Sequence, residues 1–258
     1  MSGGPVTVNM ERMTSPDVGR AIESGMTTAV FACGAVEQHG PHLPMFMDAE
    51  HGTRLAEEVA RRLGDALVAP TIRVGCSQHH MAFPGSLTLR NSTFEAVCTD
   101  YCTSLATHGF ERIFIIPTHG GNFVPLNQML TRLREAAEPC AVHAYTDLID
   151  FIEVLKRAVH EMSGMGDRVG GHADIAESSI MLALHPGLVR EDLAEDGFHP
   201  ELDPAIVSRI IADGFRSVTP NGILGDARGM SAAIGERCID VAAERLTEWF
   251  RAYRTASS

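Results

Sequence analysis

Apolar positions along this chain switch between continuous runs and a helical spacing, and the switching predicts a repeated β–α order. Thr27 to Val36 is an unbroken apolar, β-prone run, the pattern of a core strand. Thr53 to Leu63 then carries Leu55, Val59 and Leu63 four residues apart, which predicts a helix. Ala66 to Val74 reads as a second buried strand. Phe94, Val97, Tyr101 and Leu105 stripe the next helix, behind an apparent capping box at Ser92-Thr93-Phe94-Glu95. Arg112 to Pro117 contains Ile-Phe-Ile-Ile, as expected of a central parallel strand, and Ala141 to Tyr145 is a further short strand.

Helices are expected from near Pro125, over Thr146 to Met162, from Asp174 through Leu184, over Ala205 to Phe215 and over Gly235 to Tyr253. A short one is expected at Met10 to Gly25, opened by Thr14-Ser15-Pro16-Asp17. Ser163 to Gly171 and Asn221 to Ser231 read as glycine-rich loops, the first mobile or lid-like, and Glu191 to Asp203 as an acidic loop. The order implies an α/β fold in three layers, αβα, around a mostly parallel central sheet. Ligands then belong outside the strand carboxyl ends. No repeat, low-complexity tract or linker interrupts residues 1–258, so a single domain is expected.

Composition narrows the function classes. With 45% hydrophobic and 21% charged residues the chain can build a sizeable core. A formal charge of −12 argues against nucleic acid and against an anionic membrane as partner, since both demand basic patches. The start has neither a basic nor an apolar signal region and no segment is long enough to span a bilayer, so a cytoplasmic protein is expected. The six cysteines show no metal-ligand pairing pattern, and Cys98 and Cys102 read as packed thiols on a helix.

The chemistry is concentrated just after the first strand. Gly34 to Asp48 reads Gly-Ala-Val-Glu-Gln-His-Gly-Pro-His-Leu-Pro-Met-Phe-Met-Asp, where the strand breaks into a loop. Glu37, His39, His42 and Asp48 crowd together there, and carboxylates with imidazoles are the ligand set of a borderline divalent cation: Zn²⁺, with Mn²⁺ or Fe²⁺ as alternatives. In Glu-x-His an extended backbone sends both side chains to one side. Pro41 and Pro44 stiffen the return to Asp48. A histidine pair at His79-His80 lies in a later loop, and Gly120-Gly121 follows the central strand without either phosphate-binding spacing.

Three motifs in order give the chain a resemblance. Glu37-Gln38-His39-Gly40-Pro41-His42-Leu43-Pro44 with Asp48, then Thr118-His119-Gly120-Gly121-Asn122, then Gly171-His172-Ala173 leading to Glu177-Ser178-Ser179, resemble the signature of the creatininase family of metal-dependent amidohydrolases. The resemblance implies a creatininase-like αβα fold and two divalent ions. Glu37, Asp48 and His119 would hold one, and His39 and Asp48 the other, with Asp48 bridging. In the enzyme that gives the family its name, a glutamate stands two residues after the motif histidine; here that position is Gly121, and Glu177 is expected to supply the carboxylate. His172 matches the family's proton-shuttling histidine, and His80 precedes Met-Ala-Phe-Pro-Gly at a position where the family has a histidine.

The implied reaction is opening of an amide, formamide or small cyclic amide by a metal-bound hydroxide. A cyclic ketone of the oxidised-inositol type or a peptide is the alternative substrate within the family. A metal-bearing protein without catalysis and a nucleotide-binding α/β protein are the alternatives outside it. The substrate is expected to be a small polar molecule other than creatinine, because the one tryptophan, Trp249, lies in the terminal helix. Loops Gly75 to Gly85 and Ser163 to Gly171 are expected to wall its pocket, with Phe46, Phe83 or Phe123 available for stacking. A homo-oligomer, a hexamer by resemblance, completes the expectation.

Overall fold

The computed structural model describes residues 7–199 and 204–255. After a 3₁₀ turn at Met10–Arg12 come α1 (Ser15–Glu23), β1 (Thr28–Cys33), α2 (Met47–Leu63), β2 (Ala66–Val68), α3 (Asn91–Thr107), β3 (Arg112–Pro117), α4 (Gly120–Ala137) and β4 (Ala141–Ala144). They continue with α5 (Leu148–Ser163), β5 (Val169–His172), α6 (Ile175–Leu184), α7 (Pro204–Asp213), β6 (Leu224–Gly225) and α8 (Ala232–Thr255). β1 to β4 form one fully parallel sheet in the order β2-β1-β3-β4, with Thr28 opposite Arg112 and Cys33 opposite Pro117.

Period two in the strands divides the core into two halves. Val30, Ala32, Phe114 and Ile116 face α2, α5, α6 and α8, whereas Ala29, Phe31, Ile113 and Ile115 face α1, α3 and α4. The three layers follow: helices on both faces of a sheet whose central strands are apolar on both sides. The strand order reverses direction between β1 and β3, the place where an open α/β sheet presents a crevice at its carboxyl edge. Trp249 packs edge-on against Tyr145 and Phe250 inside this framework. All six cysteines are buried free thiols. Among the described residues no helix is long and apolar enough to cross a membrane.

Several expected boundaries shift, each for a local reason. α2 begins at Met47, well before Thr53, so Asp48 sits in a helix's first turn; Phe46 precedes it without a side-chain cap, leaving no capping signature to read. β2 stops at Val68, and only Ile72 returns to bridge Cys33. The Ser92–Glu95 capping box is not formed, because α3 starts earlier, at Asn91. α4 starts at Gly120, and Pro125 lies inside it at the cost of one backbone hydrogen bond. Residues 163–171 are not a free loop: β5 pairs antiparallel with β6 in a small second sheet. The expected helix start at Thr14–Asp17 does form, as a capping box, and Asp174 caps α6 as expected, its side chain accepting from Ala176 and Glu177 N–H. Part of the acidic stretch, residues 200–203, lies outside the described residues.

Candidate metal centre

The carboxyl ends of β1 and β3 deliver the first groups. Beyond β1 the chain runs extended through Glu37 and His39, and Glu37 N–H bonds the Met45 carbonyl to close the loop at 2.9 Å. Asn122, fully buried, clamps this strand end: its Nδ2 donates to the carbonyls of Cys33 and Gly34 at 3.0 Å each, and its Oδ1 accepts from Cys76 N–H. Thr118 Oγ1 donates to the Asp48 carbonyl at 2.7 Å and so fixes the start of α2 against the end of β3. Asp48 thereby lies where the helix dipole favours an anion. His119 is the N-cap residue of α4, and His172 ends β5. Glu177 is placed in the first turn of α6 by Asp174, whose carboxylate accepts from the N–H groups of Gly170, Gly171, Ala176 and Glu177.

These elements bring Glu37, His39, Asp48, His119 and His172, all buried, together with the half-buried Glu177 into one cluster. Two ligand sets stand out, Glu37–Asp48–His119 and His39–Asp48–Glu177, and Asp48 is common to both. A third grouping, Glu37–His39–His172, places His172 Nδ1 4.0 Å from Glu37 Oε1. The structure does not bring His42 in: its Nε2 meets Ser178 Oγ at 2.7 Å.

The histidine rings show why this cluster suits cations. His39 Nδ1 lies 3.1 Å from the Glu37 carbonyl, His119 Nε2 3.1 Å from the Cys76 carbonyl and His172 Nε2 2.9 Å from the Gln38 carbonyl. A carbonyl only accepts, so each of these nitrogens carries the proton and donates. The other nitrogen of each ring faces the carboxylates, where it carries a second proton on His39 and His119 in the metal-free protein and would offer its lone pair to a cation once that proton leaves. His39 Nε2 is 3.2 Å from Asp48 and 3.6 Å from Glu177; His119 Nδ1 is 3.1 Å from Glu37 and 3.5 Å from Asp48. The 3.1 Å approach lacks hydrogen-bond alignment: both Glu37 carboxylate oxygens and Asp48 Oδ2 are buried without a hydrogen-bond partner. Converging lone pairs with orphaned buried carboxylate oxygens are what a bound cation satisfies, so the residues fit the group.

Electrostatics carry the same sense. Burial opposes a charge on His39, yet Asp48, Glu177 and Glu37 together raise its pKa to about 10. His119 is likewise raised well above the usual range against burial, by Glu37 and Asp48. Burial, relieved in part by His39, pushes Glu177 up to about 8. His172 goes the other way: burial and the charge on His39 hold it neutral. The carboxylates thus draw protons onto His39 and His119, the imidazoles closest to them.

Some contributors were not legible beforehand. Gln38 Nε2 donates to the Gly222 carbonyl at 3.2 Å and lies 3.1 Å from His80 Nδ1, and the Gln38 carbonyl accepts from His172, so this residue joins three distant segments. His80 is buried with Nε2 3.2 Å from Glu37, and Phe215 stacks on it at 4.2 Å. His79 stacks on His119 at 5.6 Å. The histidine pair at 79–80 and the family segment around His80 were readable signals; Phe215 had none.

A family model described as creatininase, creatinine amidohydrolase, matches residues 11–250. This chain belongs to the creatininase family. The mycofactocin precursor peptide peptidase of Mycolicibacterium smegmatis (strain ATCC 700084 / mc(2)155) is 28% identical over 244 residues, covering 89% of this chain and 88% of the relative. Creatinine amidohydrolase of Pseudomonas putida is 27% identical over 257 residues, covering 95% and 96%. Solved creatininases superpose at a TM-score of 0.76, among them a manganese form at 26% identity covering 96% and 98%. A Zn–Zn form of a variant gives the same TM-score at 25% identity, covering 96% and 99%. The chain is therefore a creatininase-family hydrolase with the three-layer α/β fold of those enzymes and a metal-capable cluster at the sheet's carboxyl edge.

A cavity adjoins the cluster. One side is formed by Asp48, His119, His172 and Glu177, the other by apolar side chains of α4, α5 and β5. Of the two loops expected to wall it, only the second contributes, through Val169 and Gly171, and of the three phenylalanines considered for stacking only Phe123 lines it.

Proposed function

We propose that this creatininase-family hydrolase holds two divalent cations, Zn²⁺ foremost with Mn²⁺ or Fe²⁺ as alternatives, and cleaves the C–N bond of a small amide, formamide or cyclic amide. The sharing of Asp48 between two buried ligand sets carries the reading. Glu37 and His119 would complete one set, His39 and Glu177 the other. When bound, such a pair of cations polarises a carbonyl oxygen and lowers the pKa of water toward neutrality.

The rest is done by the chain's own side chains. Carbonyl bonds from His39, His119 and His172 to the backbone fix each ring's tautomer and aim its free lone pair inward. His172, held neutral, takes a proton at Nδ1 and hands it to the departing nitrogen. Gly121 has no room for the carboxylate that the family's name-giving enzyme carries there, which supports Glu177 as its replacement. A peptide amide is the second reading, favoured by the similarity to the mycofactocin precursor peptidase. The protein is further proposed to assemble as a homohexamer, as family resemblance suggests; sedimentation of the purified chain measures it.

The test is elemental analysis of gently purified protein joined to an activity panel of amides, formamides, a peptide and cyclic ketones. Two equivalents of metal with hydrolysis of an amide are expected. Metal without any hydrolysis would sink the enzymatic reading in favour of a binding protein.

A further inference from the structure

The cavity beside the cluster is two-faced, and the apolar face is the larger surprise. Phe123, Leu148, Phe151, Ile152, Leu155 and Val169 form it, from three different elements. Among the described residues lining the cavity there is no lysine, arginine or tryptophan. Gly171 keeps the wall thin. Its φ of +92° suits glycine, and a Cβ there would approach Ile152 Cδ1 to 3.0 Å.

From this we infer that the substrate carries an uncharged, branched aliphatic or phenyl group beside its scissile carbonyl, and that the six apolar side chains select it. This differs from the small polar molecule expected from sequence, and it rests on the amide-hydrolysing reading above. A polar substituent would leave its hydrogen bonds unmade against Leu148, Ile152 and Leu155. An anionic one would lie against this apolar wall, which holds no lysine or arginine to pair with it. An apolar one gains by leaving water, roughly fourfold in relative affinity per buried carbon. The carbonyl then lies toward the cluster and the apolar group toward α5.

Two matched series on the metal-loaded full chain test this. One lengthens the acyl side, from acetamide through isobutyramide to isovaleramide and 3-phenylpropionamide. The other lengthens the amine side as N-alkylacetamides. In one of the two, kcat/KM is expected to rise on the order of 50-fold across three added carbons. Succinamate is expected at or below acetamide. Ile152→Ala and Leu148→Ala, both at half-buried positions, are expected to cut the isovaleramide-to-acetamide ratio (or its amine-side counterpart) about tenfold. Calorimetric binding to the full chain as purified supplies a readout without turnover, with 3-phenylpropionamide expected at least tenfold tighter than propionamide.

Rates that stay flat in both series, or succinamate faster than isovaleramide, overturn the inference. If no amide is hydrolysed but 3-phenylpropionamide binds tenfold tighter and Ile152→Ala erases the difference, the apolar site stands and the hydrolytic reading falls. Equal binding of the two amides overturns the site itself.

Discussion

Gly121→Ala is a one-atom perturbation aimed at the cluster from outside it. A Cβ at this position would lie 2.3 Å from the Cys76 carbonyl oxygen, 2.4 Å from His119 Nε2 and 2.7 Å from His79 Cε1, where ordinary contact begins near 3.4 Å. Two effects oppose each other. Alanine in place of glycine within a helix gains up to about 1 kcal/mol from propensity. Overpacking costs about 1–3 kcal/mol, and wedging apart the buried His119–Cys76 hydrogen bond of 3.1 Å costs about 1 kcal/mol more. The clash should win, because two of the three close atoms belong to a backbone carbonyl and to a ring that cannot turn without losing its partner.

The expected net loss is about 1–3 kcal/mol, a fall in Tm on the order of 5 °C for a domain of this size. It is measured by thermal unfolding of the metal-free protein. Displacement of His119 should also weaken the Glu37–Asp48–His119 set more than the other, so equilibrium dialysis against Zn²⁺ should show one equivalent lost first. A Tm that rises by a few degrees with binding unchanged would show that the Cys76 segment gives way freely, and the argument for a closed position at Gly121 would fail.

Three other outcomes are expected. Asp48→Ala should remove both metal equivalents together in elemental analysis, and full occupancy in that variant would end the bridging assignment. His172→Ala should lower kcat by roughly 10²–10⁴ while metal content stays nearly unchanged; loss of metal would make His172 a ligand, as its 4.0 Å approach to Glu37 permits. Steady-state kinetics with creatinine should give kcat/KM below about 10⁴ M⁻¹s⁻¹, the ordinary enzyme range, because Trp249 is committed to packing and is not among the residues lining the cavity beside the cluster.

How much of this was readable follows from where each signal resides. Arg112–Pro117 matched to the residue because a strand buried on both faces is written as a continuous apolar run. The motif residues Glu37, His39, Asp48 and His119 were readable as chemistry, since carboxylate and imidazole types are uncommon after a core strand. Asp48 was nonetheless misplaced in a loop, because α2 begins without a side-chain cap. Gly120 and Gly121 read as loop residues, although the packing against Cys76 and His79 requires at least the second of them to be glycine within a helix. The β5–β6 pair was hidden because glycine-rich strands carry no alternation. Gln38, Phe215 and the apolar wall of α5 are tertiary facts: nothing local in the chain states that Gln38 will meet His172 or that Ile152 will face Gly171.

The charge of the cluster implies one more measurable consequence. Glu37, Asp48 and Glu177 converge with no lysine or arginine among them, and a buried carboxylate left unpaired is costly. In the metal-free protein the compensation comes from protons on His39 and His119. His39 is held to about 10 against burial by Asp48 and its neighbours, compared with about 6.5 when unfolded. A raised folded-state pKa contributes stability that is full below about 6.5 and disappears as pH rises through about 10. Metal-free protein should therefore lose stability on alkalinisation across that window. A cation needs the same His39 lone pair, so its binding must expel the proton. Zn²⁺ titrations at pH 7.5 in buffers of different ionisation enthalpy should accordingly show net proton release, and affinity should rise with pH until His39 is neutral. Binding enthalpies independent of the buffer would mean that no proton leaves, and that the imidazoles do not face the cation as their carbonyl bonds imply.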